Sequence, residues 1–236
     1  MQIRWGVVAV VAALTASTVF GDFRGSPVRA EAPDPVADVK PRCASSSVAG
    51  PLRLAVVGTS LTNDYTWPEV VAERLGQRVN REVELTRLAR SGATSDWGRS
   101  AVAARPELAG VDVVLVEFLA NDADLLEHMT VNRSRDNHRA IVQSIRRDRD
   151  ACTGPAVVLM TMSPVHGLRG FLRLRLPTFE AMYGGLARET GSGLLNLRSR
   201  WDSGERFGDG LHPTDAQSNA VIPAAVIDYL APAVRD

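Results

Sequence analysis

Leu54-Ala-Val-Val-Gly-Thr-Ser60-Leu-Thr62 runs from an unbroken apolar stretch straight into a tight turn that carries a serine. A strand without alternation suits a sheet covered on both faces. Working outward, apolar runs of strand length recur at wide spacing: Leu52 to Val57, Val83 to Leu88, Val111 to Glu117, Ala156 to Met162 and Gly193 to Leu197. Helical stretches lie between them. Thr66-Trp-Pro-Glu69 reads as a capping box with proline in the first turn, opening a helix to about Arg78. Ser134 to Arg147 and Pro177 to Thr190 have helical spacing, the second stopping at Gly191, and Pro213 to Val234 closes the chain. Strands alternating with helices imply an α/β fold, a parallel five-stranded sheet with right-handed crossovers and helices on both faces. Ligands bind such sheets outside the carboxyl ends of the strands. Ser60, Gly92 and Asn121 each follow a predicted strand, which sends all three to that edge.

At 236 residues and 45% hydrophobic, the chain is long enough for one substantial core. Its 27 basic and 27 acidic side chains cancel, so no global field recruits nucleic acid or an anionic membrane. Lys40 is the sole lysine among the basic residues, a skew on which no binding site is built.

Met1-Gln-Ile-Arg4 followed by uncharged Gly6 to Phe20 has the layout of a secretory signal, with cleavage after Gly21, Ala30 or Ala32. The apolar stretch is short for a membrane span, which needs about 20 residues. The alternative is an uncleaved anchor, the one route by which the chain would meet a membrane. Residues 1–32 are therefore read as signal or anchor and 33–50 as a linker rich in Pro, Ala, Ser and charge. Residues 51–236 are read as the functional domain of an exported protein, expected to be a monomer. Cys43 and Cys152 are the only cysteines; one disulfide and two inert thiols are both open readings.

Four blocks stand in order: Gly58-Thr59-Ser60-Leu61, Ala89-Arg90-Ser91-Gly92-Ala93, Leu119-Ala120-Asn121-Asp122 and Asp209-Gly-Leu-His212-Pro213. A serine hydroxyl becomes a nucleophile when a base takes its proton, and an imidazole serves as that base when a partner fixes its tautomer. Ser60 is the candidate nucleophile, His212 the base and Asp209 its orienter. The N–H groups of Ser60 and Gly92 and the Asn121 amide are candidate donors to an oxyanion. Taken singly, each block has a structural reading as a turn, a positive-φ glycine, an Asx turn or a helix cap. Their conjunction, in order and on strand ends, points to a site.

This ordered set resembles the SGNH hydrolases of the GDSL esterase/lipase superfamily, over most of the chain from Leu52 onward. Ser60, Gly92, Asn121 and His212 match the four naming residues, and Asp209 matches the acid three before the histidine. The resemblance implies a flavodoxin-like three-layer α/β/α fold and hydrolysis of small-molecule, lipid or glycan acyl esters, without metal or cofactor. Short acyl groups such as acetyl are the expected substrates. The same site would serve an acyltransferase acting on envelope glycans, and a non-catalytic carbohydrate-binding envelope protein is the reading from another class. Two departures stand out. Thr59 replaces the aspartate of the usual triplet, and Leu119 replaces a glycine two before Asn121, where it is expected to narrow the pocket or change the turn.

Other candidates are weaker. His166 follows the fourth strand and is expected to border the pocket without an orienting partner of its own. His128 and His138 are expected to face solvent, and no paired spacing suggests a metal site. Leu172-Arg-Leu-Arg-Leu176 reads as a solvated face or an amphipathic lip. Trp67 and Trp97 are assigned either to a substrate subsite or to core. The loops 124–132 and 166–176 are expected to shape the substrate pocket.

Overall fold

The computed structural model describes residues 36–43, 50–147 and 149–234. The signal or anchor expected over 1–32 lies outside these residues. Five strands form one parallel sheet: β1 Leu52–Gly58, β2 Val83–Ala89, β3 Val113–Glu117, β4 Ala156–Met160 and β5 Gly193–Leu195, in the order β2-β1-β3-β4-β5. The helices are α1 Ser60–Asn63, α2 Trp67–Val79, α3 Ser95–Ala103, α4 Leu119–Asp122, α5 Val131–Arg146, α6 Gly167–Phe171, α7 Leu176–Thr190 and α8 Asp215–Val234. The third, fourth and fifth strands are shorter than their apolar runs, because the surplus residues leave the ladder for loops at the sheet edges.

Alternation along each strand produces the three layers. Ala55 and Val57 of β1, Val114 and Val116 of β3, and Val157 and Leu159 of β4 join one core with residues of α3, α5 and α7. Leu54 and Val56, Val113 and Leu115, and Val158 and Met160 join the other core with residues of α2 and α8. Trp67 is fully buried in this second core and donates its indole N–H to Leu61 O at 2.6 Å, so it is a core residue and not a subsite. Trp97, half-buried, packs edge-on against Phe118 in the first core.

The capping box at Thr66 does not form. Thr66 has helical dihedrals and makes no cap bond with its side chain. Its N–H and hydroxyl donate instead to Asp215 at 3.0 and 2.8 Å, and Glu69 is engaged by Arg87. Asp215, brought in by the chain's last helix, outcompetes the local partner and ties the starts of α2 and α8 together. The helix expected from Ser134 begins at Val131, where the Thr130 hydroxyl accepts the Arg133 N–H. The one expected from Pro213 begins at Asp215. Gly191 ends α7 at φ 64°, the left-handed stop expected of it.

The described part of the stretch read as a linker lies along the sheet. Val39 forms an antiparallel bridge with Leu194, Asp38 accepts the Asn196 N–H at 2.8 Å, and Lys40 donates to Tyr229 O at 2.6 Å. Cys43 is disulfide-bonded to Cys152, which settles the two open readings of the cysteines.

Candidate active site

Strand register decides which residues meet. Gly58 is level with Ala89 on one side and with Glu117 on the other. Three turns therefore leave the sheet at one edge: β1 into Thr59-Ser60, β2 into Arg90-Ser91-Gly92, and β3 into Phe118 to Asn121. Strand order also reverses here, since β2 and β3 flank β1 on opposite sides, and this leaves a crevice at the carboxyl edge.

Ser60 is the first residue of α1, so its N–H has no partner within that helix. Its Oγ lies 2.9 Å from His212 Nε2, and His212 Nδ1 lies 2.7 Å from Asp209 Oδ2. With the Nδ1 proton donated to Asp209, the Nε2 lone pair is left to accept the serine proton. The other Asp209 oxygen accepts the N–H groups of Leu211 and His212, at 2.9 and 2.7 Å. Partial burial pushes this carboxyl up. The His212 N–H and ring and the Leu211 N–H outweigh that and hold it well below the usual carboxylate range. Gly210 makes the turn at φ 81°; a Cβ there would stand 2.5 Å from His166 O, while the His166 N–H donates to Gly210 O at 2.8 Å.

His166 thus holds this turn through its backbone. Its ring packs against Phe207 and is absent from the lining of both cavities at Ser60, contrary to its expected place beside the pocket.

Gly92 sits at φ 74°, and a Cβ there would meet no described atom within 4 Å, so backbone conformation, not space, calls for glycine. Asn121 donates one amide hydrogen to Ala93 O at 2.8 Å, which leaves the other for the cleft. Asp122 beside it accepts the Ser95 N–H at 2.8 Å and the Ser134 hydroxyl at 2.5 Å. These bonds lock the second and third blocks to each other. Ser60, Gly92, Asn121 and His212 line one cleft of about 570 Å³, joined there by Asp64, Tyr65 and others. The late loops reach it as expected, through Asp124, Glu127, Arg169 and Arg173. Behind Ser60 is a hollow of about 10 Å³ whose lining includes Leu61, Glu117, Ala120, Met162 and Leu211.

Three further expectations are corrected. Leu119 does not narrow the pocket: it is 1% exposed and points into the first core, because the short α4 turns it away from Asn121. His138 does not face solvent. It lies on the Ile141/Val142/Ile145 stripe of α5, fully buried, with Nδ1 2.8 Å from Ser134 O and Nε2 2.6 Å from the Tyr183 hydroxyl. Helical spacing from Ile141 was the available signal. The Leu172–Leu176 stretch is solvated only in part: Leu174 and Arg175 are exposed, but Arg173 is buried, pairs with Asp124 at 2.8 Å and donates to Ala120 O at 2.9 Å. His128, by contrast, is exposed as expected.

Thr59 shows why its departure from the usual aspartate is accommodated. Its N–H and hydroxyl both point at the buried Glu117 carboxyl, at 2.7 Å and 3.0 Å. An aspartate at 59 would set a second carboxyl directly beside that of Glu117. Glu117 itself drew no notice in the sequence; the signal was an acid closing an otherwise apolar strand.

A parallel three-layer sandwich with a crevice at its carboxyl edge places the protein in the α/β class. The sequence profile of the GDSL-like lipase/acylhydrolase family matches residues 54–218, and the chain belongs to that family. Its fold is shared with a lipase/acylhydrolase from Enterococcus faecalis at 18% identity and TM-score 0.66, covering 77% of this chain and 96% of that one. A carbohydrate acetylesterase from Sinorhizobium meliloti is similar at 15% identity and TM-score 0.63, covering 77% and 99%. An acetylxylan esterase from Geobacillus stearothermophilus is similar at 18% identity and TM-score 0.60, covering 81% and 100%. A comparison with curated protein sequences gave no match.

Proposed function

We propose that the protein is an exported serine esterase that cleaves short acyl esters, acetyl above all. The observation that carries this is the unbroken line Ser60 Oγ, His212 Nε2, His212 Nδ1 and Asp209 Oδ2, at 2.9 and 2.7 Å. Ser60 Oγ attacks the acyl carbonyl while His212 takes its proton. Asp209 keeps the imidazole in the required tautomer and stabilises the imidazolium. The oxyanion forms among the Ser60 N–H, the Gly92 N–H and the free Asn121 amide hydrogen. His212 returns the proton to the leaving alkoxide, then activates a water that releases the acid and restores Ser60.

Acyl size follows from the hollow behind Ser60, about 10 Å³, which has room for about one water-sized group. The wide cleft in front presents Asp64, Tyr65, Ser91 and Arg169 and suits a bulky polar alcohol such as a sugar. Two of the similar structures are carbohydrate or xylan acetylesterases by name, which agrees with this division. Export is supported by the Cys43–Cys152 disulfide, since such bonds persist in oxidising compartments.

The test is hydrolysis of p-nitrophenyl esters of increasing chain length. Ser60→Ala is expected to lower kcat by about a millionfold with unchanged circular dichroism, and the wild type to prefer acetate. Full activity in Ser60→Ala would remove the nucleophile assignment, and a preference for long chains would remove the acetyl one.

A further inference from the structure

Among the described residues, Glu117 is the sole carboxyl lining the hollow behind Ser60, and the proposed steps leave it without a task. It is 2% exposed. Its Oε1 accepts the Thr59 N–H at 2.7 Å and the Thr62 hydroxyl at 2.7 Å, and the Thr59 hydroxyl lies 3.1 and 3.0 Å from its two oxygens. Every one of these donors belongs to the turn that carries Ser60, on one side of it or the other. Gly58 makes the approach possible, because a Cβ there would stand 2.2 Å from Oε1.

We propose that Glu117 is a positioning residue for the nucleophile: its carboxyl grips the β1–α1 turn so that Ser60 Oγ meets His212 and the Ser60 N–H faces the cleft. This rests on the esterase reading above. The mechanical argument is that α1 has only four residues and few bonds of its own. Thr62 N–H and Asn63 N–H donate to Thr59 O at 3.2 and 2.8 Å, and Asp64 N–H donates to Ser60 O at 2.9 Å. These bonds hold the turn's shape but do not attach it to the sheet. Glu117, level with Gly58 on the neighbouring strand, attaches it at two residues. A displacement of about 1 Å in a reacting group costs about a hundredfold in rate, so such an anchor bears directly on turnover.

The surroundings define what a substitution does. Tyr183 faces Glu117 from α7, with Asp122 and His138 beyond its hydroxyl, and His212 faces it across the hollow. Among the described residues, no cation acts on the carboxyl. Burial pushes it up to about 7, against the pull of the Thr59 and Thr62 hydrogen bonds. When protonated, Glu117 keeps one acceptor oxygen and gains a donor toward Thr59 Oγ1. Glutamine reproduces that pattern with an amide, whereas alanine removes it.

The experiment compares kcat, KM and the rate of fluorophosphonate labelling of Ser60 in wild type, Glu117→Gln, Glu117→Ala and Thr62→Val. Glu117→Ala is expected to lose about tenfold to a hundredfold in kcat and in labelling rate, with KM within about twofold, and Glu117→Gln to recover most of the loss. A folded Glu117→Ala with wild-type kcat, or a Glu117→Gln as slow as alanine, would overturn the proposal. If Glu117→Ala does not fold, Thr62→Val decides: a lowered kcat supports the anchor, and an unchanged one overturns it. Wild-type activity that survives Ser60→Ala would instead overturn the esterase mechanism, so the two failures are distinguishable.

Discussion

Replacing Glu117 by glutamine should remove a specific pH dependence of stability. In the folded protein burial pushes the carboxyl from its ordinary 4.5 up to about 7. Unfolded, the side chain ionises near the ordinary value. Between these two values the folded state holds the proton and the unfolded state does not, so raising the pH drives unfolding. The stability linked to the held proton is complete below about pH 4.5 and is lost as the pH rises through about 7. Each pH unit of this window is worth about 1.4 kcal/mol, which makes the total about 3 kcal/mol. Glutamine fits the same Thr59 and Thr62 contacts and cannot ionise. The assay is urea unfolding of both proteins at a series of pH values from about 4.5 to 8. All other titrating groups are common to the two, so their effects cancel in the difference. Wild type minus Glu117→Gln should fall by about 3 kcal/mol across the window, or roughly 6–12 °C in Tm for a domain of this size. A difference that stays constant with pH would refute the reasoning, because it would mean that Glu117 ionises as freely in the fold as outside it.

Two further outcomes follow from placements that reading along the chain could not settle. Leu119→Gly should cost about 4 kcal/mol in thermal or urea unfolding, from the lost leucine packing and the added backbone freedom. It should leave the acyl-chain preference unchanged, and a gain of longer substrates without loss of stability would contradict its place in the core. Reduction of Cys43–Cys152, or Cys152→Ser, should lower stability by about 2–5 kcal/mol in urea. Cys152 precedes β4, at the sheet edge opposite Ser60, so kcat of the folded protein should not change.

The legible features of this chain are those with local causes. Continuous Val, Leu and Ala runs identified β1, β3 and β4, because a strand buried on both faces has no polar side to alternate with. Gly191 ended a helix where predicted, since a left-handed residue needs no remote partner. The four blocks could be put in order, since each borders an element whose period is readable. The misreadings share the opposite property. Thr66 has every local mark of a cap, yet its hydroxyl goes to Asp215, far along the chain. Arg173 sits in an alternating apolar and basic run, yet Asp124 draws it into the interior. His138 is surrounded in sequence by polar residues and in space by Tyr183 and Phe118.

Strand and helix alternation, the parallel sheet that follows from it, and the side chains that were candidates for chemistry were all legible along the chain. Period, turn preference and proton chemistry are carried by a few adjacent residues. The fold alone set Gly58, Ala89 and Glu117 level, and so brought Ser60, Gly92 and Asn121, each already read to one sheet edge, into a single cleft. It alone decided that Glu117 grips the serine's turn and that Leu119 turns away from it. Register and burial are set by contacts between segments tens of residues apart, and no local pattern encodes which partner wins.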